Sequence, residues 1–211
     1  MSAARACWSC KGPAGDAAFC VVCGVLQPPD SGADLFAVLG LPRGFDLDRP
    51  VLEESYRQAQ QRFHPDRFAT RSAGERRYSL EWITRINTAF QTLGNPLTRA
   101  RHLLELLGHA APEHRNTTPV DPAFLMEVME LREALAEVDP AADDAPRRLE
   151  RLRREVEQRV DLETGLIRDS LARAMAGEGT TVLEEAVRHL DRLRYHQRFL
   201  EEVDRLEERL F

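Results

Sequence analysis

The sequence predicts an all-α protein in three parts: a small metal-binding module over 1–27, a helical hairpin domain over 34–107 and a three-helix bundle over 121–211, with linkers at 28–33 and 108–120. Three observations predict this. From Asp34 onward apolar residues recur every three or four positions almost without a break, the period of an amphipathic helix. No stretch alternates long enough to make a strand. All four cysteines fall within the first 27 residues, where periodic apolar positions are few.

The bulk composition narrows the class. A chain of 211 residues with 43% hydrophobic and 30% charged residues suits one or two ordinary globular domains. No apolar run approaches the roughly 20 residues that span a bilayer. The N-terminus has no apolar signal core, and a cysteine motif beginning at Cys7 replaces any amphipathic transit peptide. The expected compartment is a bacterial cytoplasm, or a mitochondrial matrix in a eukaryote. A net charge of −6 argues against nucleic acid as the main partner.

A first short helix is expected over Asp34–Leu39, stopped by Gly40 and Pro42. A second starts near Asp48, with Pro50 in its first turn, where the missing N–H does no harm. Leu52, Tyr56, Ala59 and Phe63 share its inner face. It ends at His64-Pro65, because the residue before a proline is pushed out of the α region. A third runs over Gly74–Leu93 on a stripe of Trp82, Ile86, Ala89 or Phe90, and Leu93, with Trp82 expected in the core. Gly94-Asn95-Pro96 closes it and Leu97–Leu107 makes a fourth. Beyond the polar connection, helices are expected over Asp121–Val138, Asp144–Ala176 and Thr180–Leu210. Short connections between them imply an antiparallel bundle. Arg147–Arg154 reads as a solvated helix face.

Cys7-Trp8-Ser9-Cys10 and Cys20-Val21-Val22-Cys23 are two C-x-x-C knuckles, and together they supply a tetrahedral thiolate set. The segment is too short to bury a core, so metal binding would supply its folding free energy. Cys7, Cys10, Cys20 and Cys23 are therefore the expected ligands of a structural Zn²⁺. Iron suits the same four sulfurs, and two disulfides, or cysteines with no joint role, are the remaining alternatives.

His64-Pro65-Asp66 lies between a helix bearing Arg57, Gln58, Gln61 and Arg62 and a longer partner helix. Proline fixes a turn there that presents Asp66 outward. With Leu35-Phe36, Leu39-Gly40-Leu41-Pro42, Tyr56-Arg57, Phe63 through Phe68 and Ile86-Asn87-x-Ala89-Phe90, this stretch resembles the J-domain family over about 34–100. The resemblance implies that His64, Pro65 and Asp66, supported by Arg57, Gln61, Arg62 and Arg67, dock on a DnaK/HscA-type heat-shock ATPase and speed its hydrolysis. No nucleophile–base set and no phosphate cradle accompanies the loop, so the chain itself is not expected to be an enzyme.

In the helix over 121–138, Phe124, Val128, Leu131, Leu135 and Val138 form one core stripe, while Met126 and Met129 fall on the opposite side with Glu130, Glu133 and Glu137. Scattered exposed apolar residues are normal. Methionines ringed by carboxylates also suit an adaptable patch for a basic partner. Phe124-Leu125-Met126-Glu127 with Glu130-Leu131-Arg132-Glu133, and Pro96-x-x-Arg99-Ala100 with Leu103-Leu104, resemble the HscB co-chaperone family. That resemblance implies binding of the iron–sulfur scaffold protein IscU through Leu125, Met126, Met129, Glu130, Glu133 and Glu137, with Tyr195 as a further aromatic contact. Only some members of the family carry a tetracysteine extension, so the resemblance leaves its purpose open between a docking module and a stabilising cap. A general J-protein for unfolded clients, and a nucleic-acid or redox ribbon with an appended J-like domain, are the rival readings.

Overall fold

The computed structural model describes residues 6–15, 18–30, 32–109 and 121–209. Contacts divide the chain into two compact units, Met1–Arg99 and Ala100–Phe211. The expected connection over 108–120 lies outside the described residues apart from Gly108 and His109, as does Leu210 of the last expected helix.

In the first unit Asp34 caps α1 (Leu35–Val38), its carboxylate accepting from the Phe36 amide at 2.9 Å. α2 (Arg49–Phe63) and α3 (Ala73–Gly94) form the hairpin. Ser72 and Glu75 make a reciprocal capping box at the start of α3. The two helices run antiparallel, as three ties in order show. The Ser79 hydroxyl donates to the Phe63 carbonyl at 3.0 Å, Gln60 donates to the Asn87 side-chain oxygen, and Tyr56 stacks on Phe90 at 4.3 Å. Phe36, Leu52, Phe63, Phe68, Ile86, Ala89 and Leu93 are buried. α4 (Pro96–Leu106) begins with Arg99 buried and donating to the carbonyls of Phe45 and Leu93.

The cysteine module belongs to this unit. Among the described residues its only extended features are two isolated bridges, Ala6 with Pro13 and Phe19 with Leu26, one closing each knuckle. Cys7, Ala14 and Cys20 make its small core.

In the second unit α5 (Pro122–Ala136), α6 (Ala145–Met175) and α7 (Gly179–Glu207) form the expected three-helix bundle. Arg153 of α6 pairs with Asp204 and Glu207 near the end of α7, while Arg173 pairs with Glu178 and Glu185 near its start, so these two helices are antiparallel. Leu131, Val138, Leu149, Leu152, Val156, Phe199 and Val203 form a shared core, which buries the inner stripe of α5 against α6 and α7. The Arg147–Arg154 face is mostly solvated, but Arg153 turns toward α7.

Candidate functional site

His64 takes ψ 133°, the extended geometry its proline neighbour demands, and ends α2. Pro65–Phe68 follow as one 3₁₀ turn, closed by the Arg67 amide donating to the His64 carbonyl at 3.0 Å. Phe63 and Phe68 are buried on either side and pin the turn to the domain. Asp66 stands at its tip with its side chain 91% exposed. The Asp66 amide donates to His64 Nδ1 at 3.3 Å, which makes that nitrogen an acceptor. The Asp66 carboxylate lies 3.5 Å from the same nitrogen. Arg57 and Gln61 lie one turn apart on α2 and are exposed, with Arg57 paired to Glu54 at 2.7 Å. Arg67 donates to the Gln61 carbonyl. The Arg62 guanidinium lies over the rings of both Phe19 and Phe63. Gln61, Arg62 and Arg67 thus lie beside the turn, and Arg57 lies one helical turn further back along α2.

On α5 the exposed residues are those the periodicity placed outside. Leu125, Met126 and Met129 are 47%, 64% and 59% exposed. Glu130, Glu133 and Glu137 are exposed beside them, and Glu137 approaches Arg148 at 3.6 Å. Tyr195, half-buried on α7, packs edge-on against Phe124, and its hydroxyl accepts from Arg132 at 2.9 Å. It belongs with the α5 core stripe and Arg132.

The four cysteines converge. Their Sγ atoms all lie within 4.8 Å of one another, with Cys7 and Cys23 3.7 Å apart and Cys10 and Cys20 3.9 Å apart. Sulfurs on a tetrahedron about 2.3 Å from a central Zn²⁺ would stand about 3.8 Å apart, so the set fits such an ion. The amides of Ser9 and Val22 and the Gln27 side chain point donors at Cys7 and Cys20, as thiolate ligands require. Burial works against the Cys7 thiolate, but the Cys10 and Ser9 amides and the adjacent thiols outweigh it and bring its pKa down to about 6. The Val25 amide favours the Cys23 thiolate, yet burial and the three neighbouring sulfurs push Cys23 up to about 12. Four thiols this close cannot all ionise unless a cation replaces their protons.

Two features escaped the sequence reading. One is the seating of the module on the hairpin. The Trp8 indole donates to the Leu26 carbonyl at 2.8 Å and meets Tyr78 edge-on at 5.5 Å, and the Trp82 indole donates to the Gln27 carbonyl at 2.9 Å. Trp82, expected in the core, stands at this junction. Two aromatics in a segment with so small a core of its own were the available signal. The other is a polar cluster within the bundle. Glu163 accepts from or donates to His189 at 2.6 Å and lies 3.6 Å from Arg192, while Arg159 pairs with Glu127. His196 is 1% exposed beside them, and burial lowers its pKa to about 4. It is neutral at pH 7, so its 3.6 Å approach to Glu127 is no salt bridge there. Glu163 and His196 sit in the core register of α6 and α7, which was the signal to read.

A family model described as the HSCB C-terminal oligomerisation domain matches residues 120–204. The chain is 34% identical over 201 residues to the iron–sulfur cluster co-chaperone protein HscB of Homo sapiens, spanning 93% of this chain and 80% of that one. It is also 34% identical over 178 residues to the co-chaperone protein HscB of Proteus mirabilis, spanning 84% and 98%. The crystal structure of human co-chaperone protein HscB matches with a TM-score of 0.79 at 32% identity, covering 95% of this chain and 97% of that one. These relatives are named as co-chaperones and not as enzymes. No described helix is long and apolar enough to cross a membrane. The chain belongs to the HscB family of iron–sulfur cluster co-chaperones, and it carries at its N-terminal end four cysteines placed closely enough to hold one metal ion.

Proposed function

We propose that this chain is a two-sided adaptor: it stimulates the ATPase of a DnaK/HscA-type chaperone and delivers an IscU-type iron–sulfur scaffold protein to it. His64, Pro65 and Asp66 engage the chaperone, with Arg57, Gln61, Arg62 and Arg67 steering its acidic surface. An exposed Asp66 carboxylate on a rigid turn suits a charge-assisted bond to an arginine of the chaperone. The scaffold seats on Leu125, Met126 and Met129, whose thioether chains adapt to an apolar surface, while Glu130, Glu133 and Glu137 select basic neighbours. Tyr195 contributes by holding Phe124 and Arg132 in place. Holding the scaffold raises its local concentration at the chaperone without high affinity. The chain itself hydrolyses nothing, and Cys7, Cys10, Cys20 and Cys23 hold a structural Zn²⁺ that takes no part in chemistry. A reducing compartment such as the cytoplasm suits those thiolates.

The observation that carries this reading is the exposure of Met126 and Met129 within a rim of carboxylates, on the face of α5 that the bundle does not use. Chaperone ATPase rates with and without the scaffold protein test it. Asp66→Asn should lose stimulation at every concentration while remaining folded. Met126→Ala with Glu133→Ala should keep scaffold-free stimulation and lose the additional effect of scaffold. Undiminished stimulation by Asp66→Asn, or an undiminished scaffold effect in the double variant, would overturn it.

A further inference from the structure

We propose that the tetracysteine module is a metal-dependent brace on the His-Pro-Asp turn, acting through the positioning residue Phe19. Its relevance to chaperone stimulation rests on the function proposed above; the brace itself does not. Phe63 is the last residue of α2 and stands directly before His64. Its ring has two aromatic neighbours in nearly parallel planes: Phe19 at 6.0 Å and 9°, and Trp82 at 4.5 Å and 10°. One of these neighbours belongs to the hairpin and the other to the module. The Arg62 guanidinium lies over both the Phe19 and the Phe63 ring.

Phe19 keeps its place only while the module is folded. It adjoins Cys20, and the module's small core is built around Cys7, Ala14 and Cys20, with Leu26 also buried. Gln27 links the cluster directly to α3: its side-chain amide donates to Cys7 Sγ at 3.3 Å and its carbonyl accepts from Trp82. A core this small does not hold the segment without a bound ion. Release of the ion would free Phe19 and Gln27 together, leaving Phe63 with Trp82 but without its neighbour from the module, and the end of α2 less restrained. The loop residues themselves would be unchanged. The expected signature is therefore weaker engagement of the chaperone at an unaltered maximal rate.

The test uses the full chain, with metal removed by a chelator or with Phe19→Ala, and Phe19→Tyr as the conservative control. Amide hydrogen exchange over residues 62–69 should quicken by about three- to tenfold in the chelated wild type and in Phe19→Ala, the weight of one aromatic pair. Phe19→Tyr should stay near wild type. Phe19→Ala should retain its metal, and exchange in α5–α7 should not change. The concentration giving half-maximal ATPase stimulation should rise by a similar factor, with the maximum preserved. Chelating Phe19→Ala should add less at these residues than chelating the wild type. Unchanged exchange over 62–69 after metal removal overturns the brace. A wild-type chain that stimulates no chaperone overturns the proposed function and leaves the exchange result to decide the brace separately.

Discussion

The Trp8 indole covers Gly74 so closely that a Cβ at that position would stand 2.7 Å from Trp8 Cη2. Gly74→Ala should therefore displace the indole from Tyr78 and from its bond to the Leu26 carbonyl. Alanine gains roughly 1 kcal/mol of helix propensity, and overpacking costs about 1–3 kcal/mol, so net stability should change little. The informative measurement is the Trp8 indole N–H resonance, which should move. An unshifted resonance would mean that the contact is not maintained in solution.

The cysteine cluster should bind one metal ion per chain, with uptake releasing protons because thiols must become thiolates. Elemental analysis checks the stoichiometry, and a colourless loaded protein excludes ferric iron. Cys7→Ser should lose the ion. Metal-free protein whose four thiols all react at once would contradict the site.

Met126→Ala and Met129→Ala should each leave stability within about 0.5 kcal/mol, since both side chains face solvent. Leu131→Ala, five and two residues away on the buried side of α5, should cost about 2–5 kcal/mol. Denaturant titrations separate the two cases. A large cost at either methionine would place it in the bundle core and not on a binding face.

His196 makes the bundle acid-sensitive. The unfolded imidazole takes a proton near 6.5, whereas burial holds the folded one down to about 4. Between these values the unfolded chain binds more protons. The resulting stability is therefore fully present above about 6.5 and is lost as pH falls toward 4. The total is roughly 3 kcal/mol. Thermal melts at pH 7 and pH 4.5 should show a larger loss in wild type than in His196→Gln, and equal losses would refute the assignment.

Arg99 donates to the Phe45 and Leu93 carbonyls at 2.6 and 2.7 Å from a buried position. Arg99→Met should cost about 2–4 kcal/mol, because both carbonyls lose a charged donor. Arg99→Lys should recover only part of it, since an ammonium cannot span both acceptors with the guanidinium's fixed fork. Denaturation midpoints of the two variants give the comparison.

Much of the molecule is written in local pattern. The 3–4 spacing that links Leu52 to Phe63, Ile86 to Leu93 and Leu131 to Val138 fixes helices and their buried faces, and two C-x-x-C knuckles offer a ligand set. His64-Pro65-Asp66 fixes a turn, because proline constrains both its own φ and the residue before it. The outward side of Met126 and Met129 follows from the same arithmetic that puts Leu131 inside. Only the tertiary structure decided that Phe19 stacks on Phe63, that Trp82 binds the Gln27 carbonyl instead of filling the core, and that His196 sits neutral beside Glu127 and Glu163. These are pairings between segments far apart in the chain. Periodicity tells which face of a segment is buried, but not which distant partner buries it, and a buried charge or imidazole is tolerable only through partners that folding supplies.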